Sequence, residues 1–125
     1  MRNDKPLIAI VNDDESVCQG LKKFAHLAGM EADTFVSGKK FIERKPWLDI
    51  DCVVLDVQMP KLGGLEIQNQ LARSGFNGSV VFITGDRDPR IRERALAAGA
   101  VALLYKPFAT ELFIKTLREA IFREL

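Results

Sequence analysis

The chain has 125 residues, with 18 Lys plus Arg against 17 Asp plus Glu and a formal net charge of +1. That length suits one domain over 1–125, and the balanced charge gives no electrostatic basis for direct binding to nucleic acid or an anionic membrane. Met1 to Pro6 carries no leader-type apolar run, and the longest apolar stretch, Ala95 to Tyr105, is broken by Gly99 and too short to span a bilayer. Cys18 and Cys52 are far apart in sequence and read as free, buried thiols of a reducing, cytoplasmic compartment rather than a disulfide framework.

Short apolar runs alternate with amphipathic stretches. Leu7 to Val11 is continuous and apolar, as expected of a strand covered on both faces. Val17, Leu21, Phe24 and Ala28 follow helical spacing, and Gly29 is a natural stop. Ala32 to Val36 predicts a second strand, mainly from its place in the alternation. Ser37 caps a short helix carrying Phe41, which ends before Pro46. Val53 to Leu55 predicts a third strand, and Leu65 to Leu71 a helix that ends near Gly75. Val80 to Ile83 predicts a fourth strand. Asp88 before Pro89 starts the next helix, with Ile91, Ala95 and Ala98 on its inner face. Val101 to Tyr105 predicts the last strand, and Thr110 caps a helix that places Phe113, Leu117, Ala120 and Ile121 on one side. This alternation implies an α/β fold with a doubly wound, five-stranded parallel sheet.

Function in such sheets gathers at the carboxyl ends of the strands. The residues there are Asn12-Asp13-Asp14-Glu15 after the first run, Asp56 after the third, Thr84-Gly85 after the fourth and Lys106-Pro107 after the fifth. Each has a plain structural reading as a cap, a turn residue or a solvated lysine. Together they have a chemical logic. A carboxylate attacks phosphorus to form an acyl phosphate once the approaching negative charge is neutralised. Mg2+ takes carboxylate and carbonyl oxygens and does this, while a lysine and a hydroxyl hold the phosphoryl oxygens. Gly85 leaves space for the group to enter.

The stretches Ile10-Val11-Asn12-Asp13-Asp14-Glu15-Ser16-Val17, Leu55-Asp56-Val57-Gln58-Met59-Pro60-Lys61-Leu62-Gly63-Gly64, Phe82-Ile83-Thr84-Gly85 and Tyr105-Lys106-Pro107-Phe108 resemble the motifs of the receiver domains of two-component response regulators, in order and over nearly the whole chain. The resemblance implies a flavodoxin-like sheet of strand order 2-1-3-4-5. It makes Asp56 the phosphoacceptor, Asp13 a direct Mg2+ ligand and the carbonyl of Gln58 a third protein ligand. Thr84 and Lys106 match the residues that hold the phosphoryl group, with the Lys106-Pro107 bond cis and the lysine aimed at Asp56. Implied partners are a sensor histidine kinase as donor and an output domain or separate protein engaged through the fourth helix, fifth strand and fifth helix. Phe82-Ile83-Thr84-Gly85 and Lys106-Pro107-Phe108 most resemble the subgroup whose full proteins carry a helix-turn-helix output; no such domain follows within the 125 residues, which leaves a stand-alone and an excised receiver both open.

Two departures stand out. Aligned from Val11, the usual pair of acids is Asn12 and Asp13, so that Asn12 keeps an oxygen for a water-mediated metal contact but lacks a charge; sliding the frame to Asp13 and Asp14 would put Val11 and Val17 out of step. Leu103 stands three residues before the lysine, where the family usually has an aromatic ring; Tyr105 is on the opposite face of its strand from the lysine. Both favour the alternative, a receiver-like interaction module independent of phosphorylation. His26 reads as a structural or surface histidine and Trp47 as partial loop packing. Arg87, Arg90 and Arg94 share one helix face, either solvated or used for a partner or a homodimer.

Overall fold

Four aliphatic runs and one mixed segment form the sheet, and alternate residues of the central strands face two separate apolar layers. In this computed structural model, which describes residues 5–122, the order is β1 (Leu7–Val11), α1 (Glu15–Leu27), β2 (Glu31–Phe35), α2 (Gly38–Glu43), β3 (Cys52–Asp56), α3 (Gly64–Arg73), β4 (Ser79–Thr84), α4 (Pro89–Ala97), β5 (Ala102–Tyr105) and α5 (Thr110–Phe122). Residues 1–4, part of the segment read above as lacking a leader, lie outside the described residues. The strands are parallel in the order β2-β1-β3-β4-β5, as the sequence implied.

One layer joins Ile8, Ile10, Val54, Val81, Ile83 and Leu104 to α1 through Cys18, Leu21 and Ala25 and to α5 through Phe113, Leu117 and Ala120. The other joins Ala9, Val11, Val53, Leu55, Phe82 and Leu103 to Phe41 of α2, Ile67 and Leu71 of α3 and Ala95 of α4. Burial on both faces explains why β1, β3 and β4 are continuous apolar runs rather than alternating ones. Ala95 is the only buried residue of α4, so that helix is held by far less apolar contact than α1 or α5.

Four local expectations need correction. β2 begins at Glu31, because the Glu31 N–H donates to the Pro6 carbonyl at 2.8 Å and Leu7 pairs with Glu31; Val36 lies past the strand and is exposed. Thr110 is the first residue of α5 rather than its cap: the Ala109 carbonyl accepts from the N–H groups of Leu112 and Phe113. Ala98 terminates α4 and is exposed, because the helix stops one residue earlier. Trp47 is fully packed: its indole stacks on Phe41 at 5.2 Å and its Nε1–H donates to the Phe41 carbonyl.

Both cysteines are buried and free. Burial pushes the Cys52 thiol up to about 12. Thiolate, not thiol, reacts with disulfide reagents. Cys52 should therefore resist labelling at mildly alkaline pH until the chain is unfolded in denaturant; rapid labelling of the native protein at Cys52 would contradict this packing.

Candidate functional site

The carboxyl edge of the sheet collects side chains from four strand ends. The peptide after β1 is fixed by the Asn12 N–H, which donates to the Phe35 carbonyl at 3.0 Å. Asn12 is only 2% exposed, and its Oδ1 accepts the Asp14 N–H at 2.9 Å. That bond sets the amide orientation and leaves Nδ2 as a buried donor with no hydrogen-bond partner among the described residues. Such a group costs about 1–3 kcal/mol, so it marks a place where an acceptor would be welcome.

Asp14 is the N-cap of α1, with Oδ1 accepting from the Ser16 N–H, the Ser16 hydroxyl and the Val17 N–H. The Ser16 hydroxyl, then the Val17 N–H, hold its carboxyl below the usual carboxylate range. Asp14 is thus engaged as a cap while Asp13 beside it is exposed.

Asp56 ends β3 and is 5% exposed. Its Oδ1 accepts from the Gln58 N–H at 3.0 Å and its Oδ2 from the Lys106 ammonium at 3.2 Å. Lys106 is held by its own N–H, which donates to the Thr84 carbonyl at 2.8 Å, and the Lys106–Pro107 bond is cis, as expected; Lys45–Pro46 is cis as well, which the sequence did not indicate. Thr84 is fully buried at the end of β4. Its hydroxyl accepts from the Asp86 N–H at 3.0 Å and donates to Gln58 Oε1 at 3.4 Å rather than to Asp56.

Two glycines exchange importance. A Cβ at Gly85 would meet nothing within 4 Å, so the open space there does not depend on glycine. A Cβ at Gly64 would overlap the backbone carbonyl of Asp56 and come within 2.9 Å of Phe82 Cε1. Gly64 is therefore the residue that lets α3 start against the back of the phosphoacceptor candidate, a role visible only once the loop is closed.

No group of three His, Cys, Asp or Glu side chains forms a metal cluster among the described residues. Two carboxylates, Asp13 and Asp56, with the Gln58 carbonyl suit Mg2+, which is commonly held by one or two carboxylates and keeps several waters. Asn12 presents its amide nitrogen without a partner, and nitrogen donors of this kind hydrogen-bond oxygens and do not ligate cations. Restoring a carboxylate by Asn12→Asp should tighten Mg2+ several-fold, about 1 kcal/mol, after desolvation and repulsion offset most of the Coulomb term. Calorimetric titration checks it; an unchanged affinity would place Asn12 outside the metal site.

His26 is half-exposed, 4.0 Å from Glu31, at the opposite edge of the sheet. Arg87 precedes α4 instead of sharing its face, and its guanidinium lies over the Tyr105 ring at 4.7 Å. Arg90 is paired with Asp88, which caps α4. Leu103 is buried under α4, and Tyr105 is half-buried on the same face.

Residues 8–118 match the response regulator receiver domain. The chain belongs to that family. The receiver is 43% identical to a response regulator receiver protein from Burkholderia phymatum, over 94% of this chain and 96% of that one, with a TM-score of 0.83. It is 32% identical to the response regulator protein TmoT of Ectopseudomonas mendocina over 97% of this chain and 55% of that protein. It is 29% identical to the transcriptional regulatory protein FixJ of Azorhizobium caulinodans over 93% of this chain and 55% of that protein. The receiver thus spans about half the length of these curated relatives, and it is a receiver of the subgroup that its motifs indicated.

Proposed function

We propose that residues 1–125 form a single receiver domain that accepts a phosphoryl group on Asp56 from the phosphohistidine of a sensor histidine kinase. In this step an Asp56 carboxylate oxygen forms a bond to phosphorus, the bond from phosphorus to the histidine nitrogen breaks, and the imidazole keeps the electron pair. The observation that carries the reading is the pairing of a nearly buried Asp56 with the Lys106 ammonium, 3.2 Å apart, at the strand edge where Thr84 also ends. Lys106 balances charge as the phosphoryl oxygens approach, and Thr84 donates to one of them. Asp13, Asp56 and the Gln58 carbonyl would hold Mg2+, which when bound supplies positive charge beside the phosphoryl oxygens. The signal leaves as a population shift of the face built from α4, β5 and α5 toward an output domain, a separate partner or a second copy. The setting is cytoplasmic, in keeping with a kinase donor; no helix among the described residues is long and apolar enough to cross a membrane.

A neutral Asn12 and an aliphatic Leu103 favour a second reading, an interaction module that works without phosphorylation. Intact-mass measurement with acetyl phosphate or phosphoramidate and Mg2+ separates the two. One phosphoryl group should appear on the wild type and none on Asp56→Asn. Equal labelling of both proteins would remove Asp56 as acceptor, and no labelling of the wild type would leave the module reading.

A further inference from the structure

Three residues close a hydrogen-bonded triangle at the exit of β4. The Gln58 Nε2 donates to Asp86 Oδ2 at 3.1 Å. A carboxylate only accepts, so this contact fixes the Gln58 amide with its oxygen toward Thr84. The Thr84 hydroxyl donates to that oxygen at 3.4 Å and accepts from the Asp86 N–H at 3.0 Å. The triangle is tied at both ends. Gln58 N–H reaches Asp56 Oδ1 at 3.0 Å, and Asp86 Oδ1 accepts from the N–H of Asp88, which caps α4.

Thr84 has one hydroxyl proton, and Gln58 holds it. We infer that Gln58 and Asp86 form a latch that keeps Thr84 in its resting orientation, released when a phosphoryl oxygen at Asp56 takes the hydroxyl. Gln58 and Asp86 are positioning residues, and the inference rests on Thr84 being the hydroxyl that the phosphoryl group recruits. The exchange runs in the right direction. The Thr84–Gln58 contact is long and between neutral groups, whereas a hydrogen bond to an ionised oxygen is roughly twice as strong. Once Thr84 leaves, Asp86 loses one of the contacts that fix its loop, and the next link is the cap of α4. That helix is poorly restrained. Ala95 is its one fully buried residue and Ile91 packs only partly against the core, the Gln68 Nε2 contact to the Ala95 carbonyl is stretched to 3.5 Å, and Gln68 Oε1 is buried without a partner among the described residues.

The test compares the whole chain with Gln58→Leu, Thr84→Val and the double variant by amide NMR, free and with beryllofluoride plus Mg2+. Gln58 is exposed, so its replacement leaves the core intact. In the free Gln58→Leu protein the amides of Thr84 to Ala97 should move toward their beryllofluoride-bound positions, and beryllofluoride should bind tighter by roughly 2- to 10-fold, the worth of one hydrogen bond. In the Thr84→Val background Gln58→Leu should add nothing, because the two changes remove the same contact. Unmoved amides in free Gln58→Leu, or equal shifts in the Thr84→Val background, would overturn the latch. Failure of beryllofluoride to bind the wild type would instead overturn the phosphoacceptor reading, and the free-state comparison still decides the resting orientation.

Discussion

Gly64→Ala should destabilise the fold by about 3 kcal/mol, the upper part of the usual range for overpacking. Two effects oppose each other. Alanine in place of glycine within a helix gains up to about 1 kcal/mol from propensity. Against this, the new methyl would overlap the Asp56 carbonyl oxygen and press on Phe82 at 2.9 Å. Phe82 is completely buried and the carbonyl belongs to β3, so neither can swing aside cheaply. Gly20 provides the contrast: it lies inside α1 with nothing within 4 Å of its missing Cβ, and Gly20→Ala should be neutral or stabilising. Urea unfolding of the two variants measures both signs. Wild-type stability in Gly64→Ala would mean that α3 does not start against Asp56 as described. The same displacement should lower phosphoacceptance, because it moves the backbone that aims the carboxylate.

Lys106→Ala should slow phosphorylation by acetyl phosphate on the order of 100-fold, the scale of losing one preorganised charge contact. The lysine contributes little to the core, since its side chain is 37% exposed, but its ammonium is 3.2 Å from a carboxylate that is 7% exposed. Removing it leaves Asp56 without its cationic partner in a poorly hydrated position, which should cost about 1 kcal/mol after the exposed lysine end is discounted. Asp56→Asn should restore that stability in the double variant, because no charge is left to balance. Initial rates of phosphorylation, with thermal melts of the single and double variants in chelator, measure both effects. A wild-type rate in Lys106→Ala would show that the ammonium does not act on the phosphoryl group.

Much of this was legible in the sequence because the fold writes itself into periodicity. Continuous apolar runs reported strands buried on both faces, and of the residues after them Asp56, Thr84 and Lys106 do come together at one sheet edge. The misses share a cause. Trp47 stacking on Phe41, Arg87 lying over Tyr105 and Gly64 backing on Asp56 are contacts between elements, which leave no mark on local spacing. The sequence points to Gln58 through its backbone carbonyl alone; the contact of its side chain depends on Asp86, 28 positions away. Ala98 fits the helical period of α4, and only the cap geometry shows that the helix stops before it.

The two apolar layers divide the site between them. Directly after Lys106-Pro107, Phe108 stacks on Phe113 at 5.8 Å, and both rings pack into the α1 and α5 layer. The segment after Thr84 instead runs to α4, on the opposite layer, where Ala95 is buried and Ile91 packs only partly. On the proposed phosphoacceptor reading, Lys106 would be the fixed jaw of a vice and Thr84 the sliding one, with Asp56 in the bed between them. A jaw that slides needs another that does not, since displacement has meaning only against a datum. Loosening the Phe108–Phe113 stack would therefore blur the reading of phosphorylation without touching a single atom that contacts phosphorus.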